Sequence, residues 1–262
     1  MAQQTQVQRV VPFYRAWLKR FPTMTSLARS SKPAVLAQWS GLGYNNRALR
    51  LHRLAKEVVE NRDANLPRGV EELERLPGIG RYTAHAVACF AFGQDVPVVD
   101  VNIRRIFSRV FWKVRSATDL RSEKEIWKLA ESYLPAHHVS EWNQALMDLG
   151  ALICTARNPR CGSCPIKINC ASAFSGNFEI EGRSRRNHEP SFKGIPRRIY
   201  RGKILKALHQ RPMTIRQLGM TVVSQFHPRD TKWMKEVLEK MELDELVSIQ
   251  GSGSGKLIRI AQ

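Results

Sequence analysis

The sequence predicts an all-α body followed by a small α+β domain, and three observations carry that prediction. Between Thr5 and about Gly176 apolar residues recur at steps of three and four. The same stretch lacks the apolar/polar alternation that marks half-buried strands. After a Gly- and Pro-bearing, basic stretch from Ser172 to Pro196, the rhythm changes to three helical patterns and two short strand-like runs. The predicted division is residues 1–173 for the helical core, 174–195 for a basic linker and 196–262 for the C-terminal domain.

Taken in order, Val7, Val10, Val11, Tyr14, Leu18 and Phe21 form one apolar stripe of a first helix, which Pro22 interrupts. Pro33 to Trp39 reads as a short helix stopped by the loop Gly41-Leu42-Gly43. Asn46 to Glu60 is amphipathic through Leu49, Leu51, Leu54, Ala55 and Val58. Further helices are predicted at Val70–Arg75, Tyr82–Ala91, Val101–Val110, Ser122–Leu134 and Glu141–Cys154. In the C-terminal domain, helices over Ile199–His209, Thr214–Val222 and Lys232–Met241 precede strands at Leu246–Ile249 and Lys256–Ile260, joined by Gly251-Ser252-Gly253-Ser254-Gly255. Three helices followed by a hairpin make a winged-helix-like order. Such modules commonly lay their third helix in a DNA major groove, where this one would present Arg229, Lys232, Lys235 and, farther along, Lys240. The acid-free run from Lys193 to Lys206 is expected near any bound backbone.

Charge narrows the class of partner. Lys and Arg total 42 against 23 Asp and Glu, a net +19 over 262 residues, which favours polyanions and above all nucleic acid. No apolar run approaches the roughly 20 residues that span a bilayer, so no membrane role is expected. Met1 to Arg9 carries no apolar secretory segment, and the expectation is a cytoplasmic monomer associated with DNA. Cys89 lies in an apolar run and reads as a buried thiol.

The other four cysteines, Cys154, Cys161, Cys164 and Cys170, follow the spacing C-x6-C-x2-C-x5-C. In a reducing compartment disulfides are disfavoured, leaving zinc and an iron–sulfur cluster as the occupants the spacing allows. Arg157, Arg160 and Lys167 would face outward from such a loop and suit phosphate.

Two further motifs carry chemistry. Pro77-Gly78-Ile79-Gly80-Arg81 lies between two helix-like segments, and its glycines let backbone amides and the next helix's positive end approach a phosphate. That is helix-hairpin-helix logic. Asp100 directly follows the apolar stretch Val96 to Val99, at a helix start where an ordinary N-cap contributes about 1 kcal/mol. Standing 20 residues after Gly80, it is also placed to face a sugar carbon beside a phosphate-gripping hairpin.

Gly78 to Asp100, the four-cysteine loop and the opening Gln3-Gln4-Thr5-Gln6-Val7 together resemble the helix-hairpin-helix DNA glycosylases with a [4Fe-4S] cluster, especially the MutY-like branch. The resemblance covers roughly Met1 to Ala173. It implies a two-lobed, all-helical glycosylase core, selects [4Fe-4S] over zinc, and makes Asp100 the family's aspartate. It further implies that the partner is double-stranded DNA with a mismatched or damaged base, flipped out so that its glycosidic bond is reachable. Bifunctional relatives carry a Schiff-base lysine where this chain has Tyr82, so the resemblance implies a monofunctional enzyme.

Three departures accompany it. Adenine-removing members carry a glutamate just before the Gln3-Gln4 segment, and counting back places it before Met1. They usually have a second tyrosine where this chain has Asn45 after Tyr44; Gln4 matches the glutamine that fills the space beside a flipped base. They commonly append an oxidised-guanine-reading domain, whereas this chain ends in the winged-helix-like segment. The expected activity is adenine release opposite guanine or 8-oxoguanine, ahead of thymine or uracil release opposite guanine. A catalytically weak damage-sensing protein is the alternative from a different class.

Overall fold

The computed structural model describes residues 1, 5, 7–114, 120–175, 190–251 and 255–262. Gln3 and Gln4, most of the predicted linker and the tip of the C-terminal hairpin lie outside them.

Nine helices precede the cysteine loop: α1 (Val7–Arg20), α2 (Met24–Ala28), α3 (Lys32–Trp39), α4 (Asn46–Asn61), α5 (Val70–Glu74), α6 (Arg81–Phe92), α7 (Val101–Phe111), α8 (Glu123–Ser132) and α9 (Val139–Asp148), counted among the described residues. The loop carries two short tight turns, Cys161–Ser163 and Lys167–Asn169. Beyond it come β1 (Ser191–Phe192), β2 (Ile195–Pro196), α10 (Arg197–Leu208), β3 (Met213–Thr214), α11 (Ile215–Val222), α12 (Thr231–Leu243), β4 (Val247–Gln250) and β5 (Leu257–Ile260). Capping explains several starts. The hydroxyls of Thr23, Ser122 and Thr214 accept the N3 amides of α2, α8 and α11, and Ser26, Glu125 and Gln217 return the bond.

The described residues form two compact units. The first contains Met1–Leu66, Leu76–Gly78 and the chain from Pro190 onward. Its core joins Val35, Leu36 and Trp39 of α3 with Ile204 of α10, Leu238 of α12 and Ile258 of β5. Each such side chain contributes roughly 1.5–3 kcal/mol on burial. The C-terminal sheet is antiparallel in the order β3-β5-β4, with Met213 opposite Ile258 and Val247 opposite Ile260. The two-residue β3 and the β1–β2 pair are too short for a period-two pattern to reveal.

The first helix departs from its predicted stripe. Val10 and Phe21 are buried, but Val7, Val11, Tyr14 and Leu18 are 66, 39, 52 and 45% exposed. The inner face is set by Trp17, which meets Phe21 and Trp39 edge-on at 4.8 and 5.4 Å, and that contact turns the neighbouring apolar row outward.

The second unit holds Pro67–Arg75 and the described residues from Ile79 to Ser175. Its core packs Ile103, Ile106 and Phe107 of α7 against Ile126, Trp127 and Ala130 of α8. The predicted helix Glu141–Cys154 is helical only to Asp148. Leu149–Ile153 then widens into a turn closed by Cys154 N–H to the Leu149 carbonyl at 2.7 Å. Gly150 makes this possible, since a Cβ there would come within 2.7 Å of the Asn102 side chain.

Candidate active site and cluster loop

Asp100 sits at the N-cap of α7, at the end of a non-regular segment that other elements hold in place. Asn143 of α9, 1% exposed, accepts the Val98 N–H at 2.9 Å and donates to the Val96 carbonyl at 3.0 Å. His85 of α6 places Nδ1 2.8 Å from the Pro97 carbonyl. A carbonyl only accepts, so Nδ1 carries the hydrogen; burial lowers the pKa of this histidine.

Both oxygens of the Asp100 carboxylate are thereby fixed. Oδ1 accepts the backbone amides of Asn102 and Ile103 at 2.8 and 2.7 Å, and Oδ2 accepts Asn102 Nδ2 at 2.8 Å. The N-cap expectation therefore holds, and the capping bonds aim rather than neutralise the group, because every one of these donors is an uncharged N–H. Tyr82, half-buried on the first turn of α6, shares this neighbourhood. Burial raises its phenol pKa and the nearby Asp100 charge raises it further.

Two basic residues of α7 are turned inward: Arg105 and Arg109 are 7 and 2% exposed. Arg105 donates to Asn102 Oδ1 at 3.0 Å, the Gly150 carbonyl at 2.8 Å and the Cys154 carbonyl at 2.9 Å. Arg109 donates to the carbonyls of Thr155 and Ala156, both at 2.7 Å, and lies 3.4 Å from Cys154 Sγ. A continuous hydrogen-bonded path thus runs from the Asp100 carboxylate through Asn102 and Arg105 to the first cysteine of the loop. The sequence signal was the spacing Asp-x-Asn-x2-Arg-x3-Arg, which sets the two arginines one helical turn apart.

Cys154, Cys161, Cys164 and Cys170 are all free thiols and line one cavity with Arg109 and Pro159. Burial pushes the Cys170 thiol up, and the neighbouring Cys154, Cys161 and Cys164 push it further. No three His, Cys, Asp or Glu side chains among the described residues are grouped to hold a single ion. Four cysteines around one cavity are the donor set that an iron–sulfur core takes. The loop's exit is tied to α7 by Ser172, whose amide donates to the Arg109 carbonyl and whose hydroxyl donates to that of Trp112.

Arg157, Arg160 and Lys167 are exposed as expected, but Lys167 Nζ donates back to the Gly162 carbonyl at 2.9 Å and braces the loop. At the hairpin, Gly78 has φ +81° and a Cβ there would meet Arg50 Cβ at 2.7 Å, so only glycine fits. Gly80 is the N-cap of α6 without a capping side chain, and a Cβ there would meet nothing within 4 Å, leaving the first amides of α6 approachable. Arg81 is held over the Trp127 ring at 4.1 Å, and His85 packs on the same ring at 4.4 Å.

In the first unit, Tyr44 is 59% exposed with φ +49°. The loop that presents it is pinned by Trp39 Nε1 to the Gly43 carbonyl at 2.9 Å and Arg9 to the Gly41 carbonyl at 2.6 Å, while Arg47 lies over both the Tyr44 and Trp39 rings. Asn45 precedes α4 without a capping bond from its side chain. Arg229, Lys232 and Lys235 are exposed around the start of α12, with Glu236, Glu239 and Glu242 following on the same helix. Of the α10 cations, Arg197 lies 3.9 Å from Glu236 and Arg201 pairs with Asp244.

Residues 1–132 match the family model described as HhH-GPD superfamily base excision DNA repair protein, and residues 154–170 match the iron-sulfur binding domain of endonuclease III. The chain is 39% identical over 256 residues to the adenine DNA glycosylase of Mycolicibacterium smegmatis, covering 97% of this chain and 83% of that one. It is 37% identical over 253 residues to the adenine DNA glycosylase of Mycobacterium tuberculosis, covering 95% and 79%. Among solved structures, a thermostable thymine-DNA glycosylase matches with a TM-score of 0.59 and 29% identity, over 64% of this chain and 77% of that one. No helix among the described residues is long and apolar enough to cross a membrane.

Proposed function

The chain belongs to the HhH-GPD superfamily of base excision DNA repair proteins, and from that premise we propose a monofunctional adenine DNA glycosylase acting on adenine opposite guanine or 8-oxoguanine in duplex DNA. The observation that carries the reading is Asp100, fixed through both oxygens by neutral donors and neighbouring a phenol where bifunctional members carry lysine. Two relatives named adenine DNA glycosylase align with nearly the whole chain, its C-terminal domain included.

On this reading the target nucleotide is flipped out of the stack, with Tyr44 entering beside Asn45 at the opened step. The hairpin amides around Gly78, Ile79 and Gly80, with Pro77 shaping the turn and Arg81 beside them, grip the backbone phosphate. As the bond between C1′ and the purine nitrogen breaks, the bonding pair leaves with the purine, which takes a proton from solvent, and positive charge grows on the sugar. The Asp100 carboxylate stabilises that charge and takes a proton from the water whose oxygen bonds C1′. Tyr82, held as a neutral phenol, offers no amine for a covalent sugar adduct, so the product is an intact strand with an abasic site.

The four cysteines hold a [4Fe-4S] cluster, whose bound form supplies a rigid, cross-linked loop carrying Arg157 and Arg160 toward DNA. Arg105 and Arg109 hold that loop against α7. The protein is proposed to act as a cytoplasmic monomer, with residues 196–262 as a winged-helix-like module that lengthens the DNA footprint.

The test is single-turnover base release from duplexes bearing adenine opposite 8-oxoguanine, adenine opposite guanine, thymine opposite guanine and uracil opposite guanine, followed by alkaline cleavage. Adenine release with strand breaks appearing only after alkali is expected. Thymine or uracil release without adenine release overturns the substrate assignment, and binding without release of any base overturns the enzyme reading.

A further inference from the structure

Trp127 of α8 is buried in the core of the second unit, clustered with Ile126 and Ala130 of its own helix and with Ile103, Ile106 and Phe107 of α7. Its indole is fixed in rotation as well as in place, because Nε1 donates to Glu123 Oε1 at 3.2 Å, one turn earlier on α8. Two residues of α6 use that ring. Arg81 holds its guanidinium carbon 4.1 Å from the ring centroid, within the reach of a cation–π contact. His85 stands four positions on and therefore on the same side of α6, with its ring centroid 4.4 Å from that of the indole at an interplanar angle of 53°.

The two contacts lead to the two chemical groups of the site. Arg81 opens α6 and is followed directly by Tyr82. An arginine in the first turn opposes the helix dipole, and the ring face offsets that cost. His85 Nδ1 donates to the Pro97 carbonyl at 2.8 Å, three residues before Asp100. Residues 93–100 have no regular structure, so their course is held by bonds of this kind. Asn143 takes the Val96 carbonyl and the Val98 amide, and His85 takes the carbonyl between them. Nδ1 is aimed only while the imidazole keeps its plane, and the indole supplies the surface against which that plane is set. An indole that turned would release Arg81 and the first turn of α6, and would free His85 to swing away from Pro97.

We propose that Trp127 is a positioning residue of the site: one indole on α8 sets Tyr82, through Arg81, and Asp100, through His85 and the Pro97 carbonyl, relative to each other. Its action is indirect, through side chains that themselves carry no step of the reaction. The proposal rests on the reading of Asp100 and Tyr82 as the site of base release.

The experiment compares the whole chain as wild type, Trp127→Met, Trp127→Phe, His85→Ala and the double variant Trp127→Met with His85→Ala. Single-turnover release from the duplex bearing adenine opposite 8-oxoguanine is followed over a range of protein concentrations, and amide exchange is followed without DNA. Trp127→Met keeps apolar bulk and removes the ring faces. Its maximal rate should fall by about 10- to 100-fold, the loss expected when reacting groups are misplaced by up to an ångström, while the half-saturating concentration stays within about threefold. Trp127→Phe restores a ring face and should recover most of that loss. Exchange in Trp127→Met should quicken at Ala84, whose amide bonds the Gly80 carbonyl, and together with it at Val98, Asn102 and Ile103 around Asp100. In His85→Ala it should quicken only around Asp100. Because His85 acts through the same ring, the double variant should lose no more than about threefold beyond Trp127→Met.

Losses that multiply in the double variant, exchange that quickens at only one of the two places in Trp127→Met, or a Trp127→Phe as slow as Trp127→Met overturns the proposal. Should Trp127→Met melt below the assay temperature, His85→Ala decides alone, and a rate and exchange equal to wild type overturn the proposal. A wild type that releases no base overturns the enzymatic reading instead, and the exchange pattern, which needs no turnover, still decides the role of Trp127.

Discussion

Two aspartates at helix starts, Asp100 partly buried and Asp230 buried, show opposite electrostatic designs. Asp100, before α7, takes hydrogen bonds only from neutral groups: the amides of Asn102 and Ile103 and the Asn102 side chain. Asp230, before α12, faces the Lys193 ammonium at 2.8 Å and the His227 amide at 2.9 Å, and both hold its carboxyl below the usual range. The same residue type before a helix is held by neutral donors in one unit, with the Arg105 guanidinium reaching it only through Asn102, and bonded directly to an ammonium in the other. The helices that follow differ in parallel. Arg105 and Arg109 of α7 are turned inward onto backbone carbonyls, whereas the lysines of α12 are exposed among glutamates. A carboxylate meant to meet a developing cation must keep its charge; one meant to fasten a loop is best paired.

Exchanging the two carboxylates for amides should break that contrast with the largest effect. Asp100→Asn is expected to slow single-turnover base release by about 10²–10⁴-fold or more while duplex affinity and melting temperature stay near wild type. Asp230→Asn should do the reverse, lowering the melting temperature and leaving base release within about threefold. Equal kinetic losses in both variants would erase the distinction.

A smaller effect is expected along α7. Arg105→Met removes the donors to Asn102, Gly150 and Cys154, leaving buried carbonyls unpaired at about 1–3 kcal/mol. Base release should fall by about 10- to 100-fold, and amide exchange across residues 149–156 should quicken while α12 is unaffected. Unchanged exchange at the loop would show that the path from Asp100 to Cys154 is not mechanical.

Smaller still is the effect expected at the entry to Asp100. Asn143→Ala leaves the Val96 carbonyl and Val98 amide without their partner, which should lower urea stability by about 1–3 kcal/mol. Base release should drop less than in Arg105→Met, because His85 still holds Pro97. A stability equal to wild type in the urea titration would show that Asn143 is dispensable to the segment.

The parts of this site that were legible in the sequence are local. The cysteine spacing, the Pro77 to Arg81 turn and Asp100 after an apolar run are each contained within a few residues, and cap signals such as Ser122 and Thr214 mark helix starts directly. The parts that were not legible join distant residues: Arg105 reaches Cys154 across 49 positions, and Asn143 reaches Val98 across 45. Asn143 had one faint sign, a polar residue at the buried i+4 position between Val139 and Leu146. The stripe on α1 illustrates the converse, since periodicity identified apolar rows without telling which row Trp17 would turn inward. Net charge was the least specific signal, because it counted Arg105 and Arg109 with the lysines of α12.

The central claim is that Asp100, hydrogen-bonded directly only by neutral donors, presents its carboxylate to a cationic sugar, and binding of a charged sugar mimic measures it most directly. Affinities are compared for two duplexes, one carrying a cationic pyrrolidine at the target nucleotide and one a neutral tetrahydrofuran of the same shape. Wild type should prefer the cation by at least about tenfold, a difference of about 1.4 kcal/mol, and Asp100→Asn should bind the two alike. Equal affinity of the wild type for both duplexes, or a preference for the cation that survives in Asp100→Asn, would contradict it.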